Sequence, residues 1–127
     1  MIKVLKLIPA GSYTGLIWFI SSKTLPVSLG HMDKLAHLAE YSVLGLLLAF
    51  GLCAKVKTNP RNARYAMMLG ICIGMIDETI QYFTPGRSCD FFDLLVDVSA
   101  IFLGICIFSS FGYVLSFVNK NLFAQRQ

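Results

Sequence analysis

The sequence predicts an all-α integral membrane bundle of four transmembrane helices with both termini in the cytoplasm. Three observations carry that expectation. Of 127 residues, 56% are hydrophobic and only 14% charged, far from the roughly quarter-charged make-up of soluble domains. The charges are clustered, leaving four apolar runs that approach or exceed the roughly 20 residues a helix needs to cross a bilayer. Those runs also lack the polar stripe a soluble helix keeps along one side: "LGLLLAFGLCA" and "SAIFLGICIFSSFGYVL" are apolar all round. The chain reads as one membrane domain over residues 1–127, with spans at about 3–20, 35–54, 63–81 and 91–118.

The first span is the weakest, with Lys3 and Lys6 at its start and Pro9 in its first turns. Snorkelling lysines let residues 2–6 extend it. A cleaved signal peptide fits less well, since "SSKTLP" does not offer a small-residue cleavage site. The second span opens "HMDKLAHLAEY" and closes at "KVKTNPRN", which turns the chain on the inner side. The third ends at "TPGR", where Pro85-Gly86 is a natural turn. The fourth begins at "FFDLLVD". Such short connections make sequential helices antiparallel neighbours. Gly11-x-x-x-Gly15 and Gly70-x-x-x-Gly74 offer places for close helix approach, although the pattern is common by chance.

Charge sets the expected orientation. Lys3, Lys6, Lys55, Lys57, Arg61, Arg64, Lys120 and Arg126 fall on one side, against Lys23, Lys34 and Arg87 on the other. The positive-inside rule puts the richer side in the cytoplasm. The net charge of +4 therefore reads as a topology signal, and nucleic-acid binding is not expected. Cys53, Cys72, Cys89 and Cys106 show no C-x-x-C spacing, so no disulfide framework is expected.

Five of the seven carboxylates lie within residues 74–97. Helical spacing aligns Asp33, His37 and Glu40 or Tyr41 on the second span. Asp77, Glu78 and Gln81 align on the third, and Asp90, Asp93 and Asp97 on the fourth. At 1.5 Å per residue, Glu40, Asp77 and Asp97 each lie roughly 10 Å below the outer end of their span. Carboxylates at membrane depth are expensive and normally mark a polar cluster with a task. The acids outnumber Lys34, Arg87 and His37, so protons or a bound cation must make up the difference.

Three readings of the cluster stand open. As an enzyme acting on a phospholipid or lipid-linked phosphate, it offers His37 as acid or base with Glu78 and Asp93 as partners. Lys34, Tyr41, Gln81 and Arg87 are then the ligand-binding groups. A divalent cation is the cofactor such a set invites, with Asp77, Glu40 and Asp97 as metal ligands and His37 and Asp93 beside them. As a binding module, the same groups hold a membrane lipid or lipid-linked envelope precursor headgroup without turnover. As a structural network, they lock the helices in register.

The blocks "DKLAHLAEYSVLG" and "DETIQYFTPGRSCDFFDLLVD" together resemble the VanZ-like membrane proteins. The matching positions are Asp33, Lys34, His37, Tyr41, Asp77, Glu78, Gln81, Pro85, Gly86, Arg87 and Asp93, and the similarity covers about residues 30–108. Two positions depart: Asp97 stands where the family usually has Asn, and Ala100 where it has Gly. Glu40 lies outside the pattern. The resemblance implies a multi-pass protein of the bacterial inner membrane working in the cell envelope. The family's founding member is associated with low-level teicoplanin resistance, a role the resemblance does not transfer to this chain.

Overall fold

The computed structural model describes residues 5–24, 31–53, 59–87 and 90–124, with the side chains of residues 31–33, 119 and 122–124 outside that description. It is all-α. Among the described residues four helices follow one another: α1 (Ile8–Ser21), α2 (His31–Leu52), α3 (Pro60–Phe83) and α4 (Phe91–Ala124). No strand occurs among the described residues.

Local chemistry explains the ends. Pro9 sits in the first turn of α1, where a missing N–H costs nothing; residues 3 and 4, where that span was expected to start, lie outside the described residues. Asn59 caps α3 by accepting a hydrogen bond from the Arg61 amide at 3.0 Å, and Pro60 follows at the first helical position. The "NPRN" segment therefore starts a helix where a loop was expected. Asn62 then donates to the Leu52 carbonyl at 2.9 Å, tying the start of α3 to the end of α2. At the opposite end of α3 the turn closes through Thr84 N–H to Gln81 O and Arg87 N–H to Thr84 O. Gly86 has φ of 84° there, a left-handed conformation that residues with a Cβ seldom adopt.

The tightest packing is between α2 and α4. A Cβ on Gly45 would run into the Ile101 backbone, and one on Gly104 into the Ser42 carbonyl. The side chain of Ile101 reaches α3, where a Cβ on Gly70 would lie 2.9 Å from its Cδ1. Around this knob the core gathers Leu44, Leu48, Ala49, Ala66, Ala100 and Ile105. In α1, Ala10 and Ile17 are buried, and the helix rests on α2 and α3. Gly11 and Gly15 face open space, with nothing within 4 Å of an added Cβ. The close approaches fall at Gly45, Gly51, Gly70 and Gly104.

The exterior is apolar and part of the interior is charged. Phe102, Met68, Phe111 and Phe117 are 60% or more exposed, while Asp77 and Asp97 are 0% exposed. In water that arrangement would be unstable, because the outside would seek burial. Two stretches, Lys34–Leu52 and Phe91–Val118, are long and apolar enough on their own to cross a membrane. The 34-residue α4 is about 51 Å long at 1.5 Å per residue, so it outruns a hydrocarbon core of about 30 Å.

Candidate functional site

The polar side chains meet at one end of the bundle, where α2 begins, α3 ends and α4 begins. Helical spacing brings them there from the inward stripe of each helix. His37 from α2, Asp77, Glu78 and Gln81 from α3, and Asp93 and Asp97 from α4 are all buried. Of the three carboxylates expected at equal depth, Asp77 and Asp97 meet there, while α2 contributes His37 and not Glu40.

A hydrogen-bonded chain crosses all three helices. Gln81 Nε2 donates to Asp77 Oδ2 at 2.9 Å, one turn apart on α3. The same nitrogen lies 3.4 Å from His37 Nε2, and His37 Nδ1 lies 3.0 Å from Asp97 Oδ1. With Gln81 donating to Nε2, the imidazole carries its proton on Nδ1 and donates it to Asp97. His37 is 3% exposed, and its ring stacks on Tyr41 at 6.0 Å between centroids and 8° between planes. Tyr41 is completely buried. Its hydroxyl faces the Asp77 carboxylate outside hydrogen-bonding geometry. Among the described residues, Asp77 Oδ1 and Asp97 Oδ2 also have no hydrogen-bond partner.

A second cluster stands at the rim. Lys34 Nζ lies 3.0 Å from Asp93 Oδ1 and 3.3 Å from Asp90 Oδ2, and over the Phe92 ring at 5.7 Å. Asp90 caps α4: its Oδ1 accepts from the Phe92 amide at 3.0 Å and its carbonyl from the Asp93 amide at 2.9 Å. That amide bond, with the Lys34 ammonium beside it, holds the Asp90 carboxyl below its ordinary value. Helical spacing had aligned Asp90 with Asp93 and Asp97 on the fourth span. The bond between Asp90 and Lys34, 56 positions away, depends on tertiary packing and left no signal in the sequence.

Beside this rim runs a groove of about 630 Å³ between α2 and α4, lined by Leu35, Leu38, Phe92, Leu95, Val96 and Ser99 with Lys34 at its edge. Arg87 is half-buried just past the end of α3. Glu40 is half-buried and lies near Tyr13 of α1, outside the closest convergence of donors. That convergence consists of His37, Glu78 and Asp97. Of the expected metal ligands it includes Asp97, and it draws its other two members from the residues expected to catalyse. Asp33, placed by its spacing on the face of His37, has its side chain outside the described residues, as do Cys89 and Ser88.

Chemically, the arrangement offers a buried imidazole with both nitrogens engaged, unpartnered carboxylate oxygens, and a rim bearing both signs of charge. No curated protein and no solved structure matches this chain. A family model described as VanZ/LLP1 matches residues 2–115, nearly the whole chain and both polar blocks, and the protein belongs to the VanZ-like family.

Proposed function

We propose that this is a multi-pass protein of the bacterial inner membrane that binds a lipid or lipid-linked envelope precursor headgroup at the outer face. All four helices span, and both termini are cytoplasmic. Exposed Leu16 and Phe19 on α1 and Met68 and Met75 on α3 support the two spans that length or charge leaves open. Arg61 and Arg64 at the other end of α3 support a cytoplasmic location for that end.

The observation that carries the reading is the α2–α4 groove. Its walls are apolar, and its edge holds Lys34 between Asp90 and Asp93. An acyl chain suits the walls, a phosphate suits Lys34, and a headgroup amine suits Asp90, so a headgroup carrying both signs is favoured. Native mass spectrometry of the detergent-solubilised chain with phosphatidylethanolamine and phosphatidylglycerol tests this. The expected result is preferential retention of phosphatidylethanolamine, reduced by Lys34→Ala and by Asp90→Asn. Equal retention of both lipids, or retention untouched by either substitution, would sink the reading.

A second reading, a structural network without ligand, is favoured by the unbroken chain from Asp77 through Gln81 and His37 to Asp97. The two make different predictions at the rim: a purely structural network leaves lipid retention indifferent to Lys34.

A further inference from the structure

We propose that His37, Glu78 and Asp97 form a site for a divalent first-row transition cation of the Mn²⁺ or Zn²⁺ type. The inference uses none of Lys34, Asp90 or the groove, so it stands apart from the headgroup reading.

Each of three helices contributes one donor, and the three donor atoms lie within 4.8 Å of one another. The residues are 3%, 6% and 0% exposed respectively. His37 Nδ1 and Asp97 Oδ1, at 3.0 Å, are already near the separation of about 3.3 Å that adjacent ligands take around an ion with bonds of about 2.0 Å. Glu78, with a carboxylate oxygen within 4.8 Å of the other two donors, completes a three-ligand set.

A second observation points to a ligand. Asp97 is completely buried and its Oδ2 has no hydrogen-bond partner among the described residues. That oxygen is turned toward α3 at Gly74, where an added Cβ would lie 3.4 Å from it. Asp77 Oδ1, equally buried, is in the same condition. With no water in the surrounding hydrocarbon, an unsatisfied carboxylate oxygen at this depth is costly, and a divalent cation relieves that cost. Lys34 does not do so, since it is held by Asp90 and Asp93. One imidazole with two carboxylates suits Mn²⁺ or Zn²⁺, whereas Mg²⁺ and Ca²⁺ prefer oxygen alone. The ion displaces the Nδ1 proton that the free site shares with Asp97, and the imidazole then carries its proton on Nε2, beside Gln81.

The test titrates the full detergent-solubilised chain, stripped with chelator, with Mn²⁺ and reads free ion by electron paramagnetic resonance. The expected result is one saturable Mn²⁺ per chain, displaced by Zn²⁺ but not by equal Mg²⁺. Glu78→Gln and Asp97→Asn each weaken it by about 10-fold or more, and Asp90→Asn leaves it unchanged. Helical circular dichroism and a single elution peak certify that the variants fold. Pulsed spectra of the wild type need no variant, and the bound Mn²⁺ should show coupling to an imidazole ¹⁴N. Absence of saturable binding, absence of that coupling, or binding that survives both substitutions overturns the proposal.

Discussion

At the scale of single residues, satisfaction of buried polar atoms decides what a substitution costs. His37 fills both ends of its ring. His37→Ala strands Asp97 Oδ1 and opens a void, so unfolding in a detergent titration should fall by about 3–5 kcal/mol. Tyr41 is as deeply buried, yet its hydroxyl has no hydrogen bond among the described residues. Tyr41→Phe should therefore change stability by less than about 0.5 kcal/mol; a loss above 1.5 kcal/mol would mean that the hydroxyl is bonded to Asp77. Asp90 gives a pH dependence. Its folded value is depressed, first by the Phe92 amide and then by Lys34. Its contribution is therefore complete above the ordinary carboxylate value of about 3.9 and lost as pH falls through the lower folded value. Amide exchange at Phe92 should be protected down to about pH 4 and rise below it, and Asp90→Asn should remove that step. The cluster's members were legible in the sequence because three stripes of polar residues reached equal depth. Which donors converge was not, since Glu78 and Glu40 both fit the spacing. Only the rotation of each helix about its axis separates them.

At the scale of the elements, glycine placement fixes how closely helices approach. Gly45 and Gly104 let α2 and α4 touch backbone to backbone, whereas Gly11 and Gly15 face open space. Gly104→Ala should cost about 1–3 kcal/mol by forcing the pair apart. Gly11→Ala should be neutral or stabilising by up to about 1 kcal/mol. Equal effects at both positions would contradict the packing described. The sequence pointed to the G-x-x-x-G pairs, of which Gly70 is used against Ile101 and Gly11 and Gly15 are not. Spacing shows that two glycines share a face, but not which face meets a neighbour. Helix ends followed the same logic: the Pro-Gly turn at residues 85–86 was readable, while the helical start at Asn59-Pro60 was hidden in a stretch that reads equally well as a loop.

At the scale of the whole molecule, the apolar exterior and charged interior make sense together only in a membrane, and the acid cluster's place in it determines what it can meet. The all-α character was legible in the four apolar runs; of the four expected spans, Lys34–Leu52 and Phe91–Val118 are long and apolar enough to cross a membrane. Orientation rested on basic residues, several of which, Lys3, Lys55, Lys57 and Arg126, lie outside the described residues. Tyr82, 69% exposed, marks the cluster end of α3, and Tyr65, 56% exposed, marks the opposite end. The most direct measurement replaces the four native cysteines with serine, introduces Tyr82→Cys or Tyr65→Cys, and treats intact cells with a membrane-impermeant maleimide. Labelling of Tyr82→Cys in intact cells, with Tyr65→Cys reacting only after permeabilisation, is the outcome expected of a site facing the outer leaflet. The reverse pattern would place the cluster at the cytoplasmic face and contradict the account.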